Sequence, residues 1–290
     1  MIRLTRGETV KVRREQPRWQ LKKFLQSKGA LAIPVTYLIL FASLLAIISA
    51  TYSFAVVKIN SRSATLKVSV AKQNMQLLDE AIRSVAWSFG ASEVVYMDDC
   101  GGTFKIEPTA KSLILNITDG GSFYGIVFNS SVGRVLYELE PSVITNEGLY
   151  VKGDMRTIIN QSAFTLTQLY FTRNDDAQEL TLSYRPSAMV ATIGTSNGKP
   201  LNIIRIYIIN LNSSQGMMQN GKFHLKVTSV NVTTTRQRYE FNGTVSSLMI
   251  RAISTESTNV VSLPISSIEE GAIVDVEVVV CNVKLQGVNV

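Results

Sequence analysis

Few side chains in this chain could carry out acid–base or nucleophilic catalysis. The one histidine, His224, lies in the stretch Lys-Phe-His-Leu-Lys at residues 222–226, where alternating polar and apolar residues predict a β-strand. A Ser–His–Asp or Cys–His site would have to use this histidine, and no nucleophile motif lies near it in the sequence. We therefore expect His224 to be a half-exposed strand residue, with no catalytic residues and no enzyme activity in the chain.

Residues that could bind a metal ion are also scattered. Acidic pairs stand at 98–99, 175–176 and 269–270, and Asn174 extends the second pair into a run of oxygen donors. That run lacks the spacing of an EF-hand loop, so a solvated loop is expected there. The sequence contains no Cys-X-X-Cys pair for zinc and no glycine-rich phosphate-binding loop. It therefore predicts neither a metal site nor a cofactor.

Cys100 and Cys281 are the two cysteines of the chain, and both follow its long apolar segment. A disulfide between them would close a loop over most of the distal region. In the chain-entropy model such a bridge stabilises by roughly 4–5 kcal/mol. Two buried free thiols are the alternative, and the sequence leaves this choice open.

Six Asn-X-Ser/Thr sequences are acceptor sites for N-glycosylation. All of them follow the apolar segment, and they begin at Asn116, Asn129, Asn160, Asn212, Asn231 and Asn242. Carbohydrate at such positions would cover exposed loops and strand edges. The pattern predicts a glycosylated surface domain.

The net positive charge of the chain is confined to its first residues. The sequence has 29 Lys and Arg against 22 Asp and Glu, a formal net charge of +7. Residues 1–29 contain nine basic and two acidic residues, which accounts for the whole surplus and leaves the rest of the chain neutral. A basic face for nucleic acid is therefore not expected on the main body, and we predict no nucleic-acid partner.

Residues 30–57 contain no charged side chain, and we call them the apolar segment. The segment exceeds the roughly 20 residues that cross a bilayer as a helix, and its hydroxyl groups can bond back to the helix carbonyl groups. A buried core helix is the alternative, although the flanks are asymmetric. Because basic residues precede the segment, the positive-inside rule predicts a cytoplasmic leader at 1–29 and an extracellular remainder. The sequence thus predicts a single-pass membrane protein in contact with lipid.

A helical pattern continues beyond Lys58. Apolar residues recur at steps of three and four along one face, at Ala71, Met75, Leu78, Ile82, Val85 and Phe89. The opposite positions include Asp79 and Arg83, and Gly90 suits a C-terminal cap. We predict an amphipathic stalk helix over 58–90 whose apolar face packs against the domain that follows. A coiled-coil stalk is the alternative.

From residue 91 to residue 290 the apolar runs are short, β-branched and aromatic. They predict strands at 93–97, 103–107, 112–117, 123–129, 134–139, 149–152, 163–173, 179–185, 203–211, 222–233, 236–241, 246–253 and 273–283. Turn sequences separate them, with Asp-Gly-Gly at 119–121 and Asn-Gly at 197–198, 220–221 and 242–243. The predicted fold class is α+β, a long N-terminal helix followed by an antiparallel β-sandwich-like extracellular head. Residues 187–200 are the candidate linker if the head has two subdomains.

Lys28, Gly29, Ala30 and Leu31 form the junction between the basic leader and the apolar segment. This junction resembles the cleavage site of archaeal type IV pilin-like precursors, which carry a class III signal peptide. In that family a membrane-bound prepilin peptidase cuts after the glycine on the cytoplasmic side and leaves the apolar helix on the mature protein. The resemblance implies a cut between Gly29 and Ala30. Pro34 stands where bacterial pilins keep a glutamate, which favours the archaeal branch.

The resemblance implies a structural subunit of a cell-surface filament or pseudopilus, with a role in adhesion or assembly. Its partners would be the prepilin peptidase and other pilin-like subunits. Loss of the leader would remove the charges that hold the N-terminus at the cytoplasmic face, so the helix could leave the bilayer for a filament core. The main alternative is an uncleaved single-pass membrane protein whose extracellular β domain binds a ligand, a partner or a cell-envelope component. A membrane-tethered enzyme with an unfamiliar site is a third hypothesis.

Overall fold

The computed structural model describes residues 32–121, 123–140, 148–160, 166–174, 177–255 and 257–288. It divides at Asn60 and Ser61 into two compact units. Within the described residues the first unit is helical, and the second, Ser61–Val290, contains every strand. We call this second unit the β unit. The coarse prediction of a long N-terminal helix followed by a mostly β region is confirmed.

Helix α1 spans Ala32–Val85, a length of 54 residues. The sequence predicted that it would extend to Phe89 with a cap at Gly90, and this was wrong by about one turn. Ala86 N–H still donates to Ile82 O at 3.0 Å, and the chain then turns until Gly90 N–H donates to Ser229 O, also at 3.0 Å. Gly90 has the positive φ of 75° that was expected of it. The helix therefore ends where the chain pairs with a strand.

Fourteen strands follow in the described residues. They are β1 Ser92–Met97, β2 Thr103–Thr118, β3 Tyr124–Leu139, β4 Tyr150–Lys152, β5 Ile159–Asn160, β6 Thr167–Asn174, β7 Ala177–Tyr184, β8 Ser187–Ser196, β9 Lys199–Asn210, β10 Met217–Asn220, β11 Phe223–Phe241, β12 Ser247–Ser254, β13 Thr258–Pro264 and β14 Ala272–Val288.

The strands form two sheets. The first has the order β1-β11-β14-β9-β8-β5, and the second has the order β13-β12-β2-β3-β7-β6-β4, with β10 paired to β2. The predicted antiparallel arrangement holds for most neighbours, but β14 pairs with β9 and β5 pairs with β8 in parallel. The first sheet is therefore mixed, which the local sequence pattern did not predict.

The predicted linker at 187–200 is wrong, because most of it is β8. This strand pairs antiparallel with β9 from Ser187 opposite Tyr207 to Ser196 opposite Lys199. Residues 191–195 of β8 are exposed, so the strand lacks the apolar alternation of a half-buried strand. Strands β10 and β13 were also not predicted. The turn at Asn197 and Gly198 is confirmed, with positive φ angles of 52° and 80°.

Three pairs of predicted strands are joined in the structure into the long strands β2, β3 and β11. In β2 the join contains Pro108, and the register with β3 shifts between Glu107 and Lys111. A proline cannot donate to the ladder and is tolerated at such an irregularity. In β11 the register with β14 shifts between Ser229 and Asn231. The irregularity in β2 explains why that strand reads as two short ones, whereas the shift in β11 lies within one of its two predicted strands.

The buried apolar residues form two clusters. The first, which we call the helix cluster, combines residues 71–86 with one end of strands from both sheets. The second, the sheet cluster, is built by strand residues together with Ile158 and Ile265 from adjoining connections. Strands β2, β3, β9, β11 and β14 contribute to both clusters, so the two cores share a common framework and the β unit is a single compact body.

Candidate functional site

The described part of the apolar segment is an exposed helix. The large apolar side chains between Ile33 and Ile59 are 36–71 % exposed. By length and composition this helix could span a membrane, and its most hydrophobic stretch is not buried against the rest of the described chain. Twenty-five residues from Ile33 to Val57 rise about 37 Å, which covers a hydrocarbon core of about 30 Å. The segment therefore offers a continuous apolar surface to lipid or to other helices.

Two hydroxyl groups of this helix are satisfied internally. Ser43 Oγ donates to Leu40 O and Thr51 Oγ1 donates to Ile47 O, each at 2.8 Å. This is the back-bonding that the sequence predicted for an apolar environment. Because these hydroxyls have partners within the helix, they carry no cost for lacking water.

The later part of α1 buries its apolar face in the β unit, as predicted. Ala71, Met75, Leu78, Ile82 and Val85 are buried in the helix cluster. The sixth residue of the predicted face, Phe89, lies beyond the helix end and is 79 % exposed. The packing partner is thus the β sheets, as expected, and these helix residues are a structural part of the β unit.

The sequence pattern predicted Asp79 on the face of the helix opposite the apolar residues. This prediction was wrong, because its carboxylate is buried. Its side chain is 1 % exposed and forms an ion pair with Lys152 of β4. Thr167 Oγ1 donates to Oδ1 at 2.6 Å, and the Tyr184 hydroxyl donates to the same oxygen at 2.9 Å. Burial, with the nearby carboxylate, raises the pKa of Tyr184 well above its ordinary value, so Tyr184 remains a neutral donor. The cluster joins α1 to β4, β6 and β7 of the second sheet.

The spacing contained a signal for this position. Asp79 follows Met75 by four residues and precedes Ile82 by three, so it shares the buried face by helical geometry. The polar character of aspartate led to the opposite assignment. A lone acid within an apolar stripe is better interpreted as a buried, paired group.

Asn74 makes a second connection to the same sheet. Its Nδ2 donates to the Tyr137 hydroxyl of β3 at 3.2 Å and to Asp98 O at 2.8 Å. Asp98 N–H donates back to Asn74 Oδ1 at 3.2 Å. Burial raises the pKa of Tyr137, which keeps this hydroxyl neutral in the core.

The end of the helix is fixed to the first sheet. Ala86 O accepts from Ser229 Oγ of β11 at 3.2 Å and also contacts Cys281 Sγ of β14. The Trp87 ring packs edge-on against Tyr207 of β9, with centroids 5.5 Å apart. The segment of residues 74–87, which includes the end of α1, is therefore held to both sheets.

Both cysteines are free and buried. Cys100 lies in the helix cluster after β1, and Cys281 contacts the helix end. Burial raises the pKa of both thiols. The structure thus has the two buried thiols, the alternative to a bridge.

The predicted glycosylation sites differ in exposure. Asn129 and Asn242 are exposed, whereas Asn160, Asn212 and Asn231 are half-buried. Asn116 is 4 % exposed, so its side chain cannot carry a glycan in this fold. The predicted cleavage residues Lys28, Gly29 and Ala30 lie outside the described residues.

The other candidate residues are not brought together. His224 is half-buried in β11 and packs against the Tyr96 ring at 5.2 Å. Asp98 lies 3.3 Å from Lys222, and its backbone bond from Asp99 N–H helps to lower its pKa. The acids 175–176 lie outside the described residues. Among the residues that are described, no group of three His, Cys, Asp or Glu side chains could hold a metal ion.

Comparison of the chain with protein-family models, with curated proteins and with solved structures gives no match. Support for a function therefore comes from the sequence and geometry of this chain.

Proposed function

We propose that this chain is a type IV pilin-like structural subunit of a cell-surface filament or pseudopilus. In this proposal the prepilin peptidase cuts between Gly29 and Ala30, and the apolar segment then assembles with the helices of other subunits. The β unit is extracellular and has a role in adhesion or assembly. No chemical reaction is assigned to the subunit.

One observation supports the proposal above the others. The exposed, uncharged helix from Ile33 to Val57 belongs to α1, and later residues of α1 are bonded to both sheets of the β unit, through Asp79 to Thr167 and through Ser84 to Glu93. A helix that only anchored a domain would not need to be built into its core. A subunit that transmits load from a filament core to its head does need such a connection.

The leader supplies the second part of the argument. Its surplus of seven positive charges precedes Gly29, and charged side chains resist transfer out of the cytoplasmic interface. Removing the leader would leave a helix held by apolar contacts alone. Small residues in the segment, such as Ala46 and Ala50, would let neighbouring helices approach closely.

The experiment is to isolate the chain from membranes that contain a prepilin peptidase and to determine its N-terminus and intact mass. We expect a mature chain that begins at Ala30. Gly29→Trp is expected to block this processing, whereas Gly7→Trp, at the other glycine of the leader, is the matched control and should be processed normally.

A native chain that still begins at Met1 would contradict the proposal. It would favour instead a single-pass membrane protein with a ligand-binding β domain. Normal processing of Gly29→Trp would also count against cleavage at this bond.

A further inference from the structure

A cleft of about 220 Å³ opens in the β unit at one end of the second sheet. Its walls come from four places in the sequence. Tyr150 and Tyr170 lie on the neighbouring strands β4 and β6, Thr157 lies on the connection that follows β4, and Ser254 and Ser257 lie at the turn between β12 and β13. Lys111 of β2, Met155 and Gln168 of β6 complete this set. The proposed function does not use this cleft.

The two tyrosines form an aromatic platform. They are direct cross-strand partners, and their rings stack with centroids 5.2 Å apart and an angle of 29° between the planes. Both side chains are half-buried. Tyrosine presents an apolar ring beside a polar hydroxyl, so it can pack against a ligand that is itself amphipathic.

Hydroxyl groups line the opposite side. Thr157 Oγ1 and Ser257 Oγ form a hydrogen bond that joins the β4–β5 connection to the turn between β12 and β13. Ser254 Oγ is buried and has no hydrogen-bond partner in the part of the chain that the structure describes. This oxygen is closed off from the cleft, whereas Ser257 is exposed at the cleft wall, so the Ser257 hydroxyl is the one that can bond a ligand hydroxyl.

The connection that carries Thr157 is held rigidly. Gln168 Nε2 donates to Asp154 O at 2.7 Å and to Arg156 O at 3.1 Å. The Arg185 side chain, 1 % exposed, donates to Asp154 Oδ1 at 2.5 Å. Hydrogen bonds from Arg156 and, to a smaller extent, from Arg185 hold the pKa of the Asp154 carboxyl well below its ordinary value. The site is therefore built before any ligand arrives, which lowers the entropic cost of binding.

We propose that this cleft binds a saccharide, with one pyranose ring packed on the tyrosine platform. The apolar C–H face of a sugar ring matches an aromatic face, and its hydroxyls match the side chains of Thr157 and Ser257. The volume is below the roughly 300–1,000 Å³ typical of drug-sized ligands, so it fits a single ring of a longer glycan. All these residues belong to the β unit, so the inference holds whether or not the leader is removed.

The test uses the full chain from membranes, in a detergent that has no sugar headgroup to compete. The probes are immobilised neutral oligosaccharides, composed of hexoses and N-acetylhexosamines, and oligosaccharides that contain uronic acids. We expect saturable binding to at least one of these two sets, followed by an affinity measurement with the best probe. The intact mass of the same preparation records whether the leader is present, which separates this test from that of cleavage.

Tyr170→Ala is expected to weaken the affinity at least tenfold, while Tyr170→Phe, which keeps the ring face, stays within threefold. Tyr124→Ala is the matched control, because Tyr124 is 62 % exposed on β3 and does not line the cleft. Ser257→Trp fills the cleft from an exposed turn and should abolish binding without disturbing the core. Its thermal unfolding midpoint checks that the fold is kept.

The proposal is overturned if neither set of probes binds. It is also overturned if Ser257→Trp folds and binds like the wild type, or if Tyr124→Ala weakens binding as much as Tyr170→Ala does.

Discussion

Asp79 is a carboxylate in the core of the β unit, and its burial requires compensation. Removing a charge from water costs several kcal/mol unless an opposite charge and hydrogen-bond donors surround it. Here the ammonium of Lys152 faces Oδ2, and the hydroxyls of Thr167 and Tyr184 face Oδ1. Both oxygens are satisfied, and each partner lies on a different strand. The residue therefore fixes the position of α1 against three strands at once.

Replacing this carboxylate tests its structural role. Asp79→Asn keeps the shape but removes the countercharge of Lys152, which is 31 % exposed and can partly recover water. We expect the free energy of unfolding to fall by about 1–3 kcal/mol. Chemical denaturation of the chain, followed by the circular dichroism of the β unit, measures this loss.

The neighbouring residue provides the control. Glu80→Gln makes the same chemical change one position along the helix, where the side chain is exposed, and should alter the free energy of unfolding by no more than about 0.5 kcal/mol. Equal effects of the two substitutions would show that the buried cluster contributes nothing specific.

At the scale of elements, the connection between β4 and β5 depends on one glycine. Gly153 has a φ of +79°, and a Cβ at this position would lie 2.3 Å from Thr167 O of β6. The glycine thus allows both the left-handed backbone and the close approach of two segments. Gly198, in the β8–β9 hairpin, has nearly the same φ of +80° but no atom within 4 Å of such a Cβ.

These two glycines form a matched pair. Gly198→Ala is expected to cost about 1–2 kcal/mol through backbone strain alone. Gly153→Ala adds a collision with a carbonyl oxygen, so we expect a loss of at least about 3 kcal/mol. Thermal and chemical unfolding of both variants measures the difference in their free energies of unfolding. Similar losses would mean that the β4–β5 connection can move to accommodate the added Cβ.

The elements differ in how far the sequence predicted them. The buried stripe from Ala71 to Val85 was found because helical periodicity is local, and the hairpin at Asn197 was found because its turn chemistry is local. The parallel pairing of β14 with β9 depends on residues such as Ile273 and Leu201, which are far apart in sequence. No local pattern encodes such a partner.

The candidate sites were likewise predictable only where they depend on residues that are close together in the sequence. The apolar segment was evident from composition, whereas the partners of Asp79 were not, because Lys152, Thr167 and Tyr184 come from three separate strands. The tyrosine platform was missed for a related reason, since Tyr150 and Tyr170 become neighbours only through the register of β4 and β6.

At the scale of the whole molecule, α1 has two environments. Its residues from Ile33 to Ile59 expose large apolar side chains, whereas eight of its residues between Ala71 and Val85, and Ala86 just beyond it, are buried in the β unit. The requirement for lipid or detergent should therefore reside in the residues before Ser61. The residues of α1 from Ser61 onward should instead be required for a complete core of the β unit.

Two truncations separate these requirements. A fragment of residues 61–290 keeps all nine of these buried residues. It is expected to be soluble without detergent and to unfold cooperatively. A fragment that begins at Ser92 lacks them and leaves the helix cluster open, so we expect it to aggregate or to lose fixed tertiary structure. Size-exclusion chromatography and near-ultraviolet circular dichroism measure both properties. If the longer fragment needs detergent, or if the shorter one folds as well, then residues 61–91 are not a structural part of the β unit.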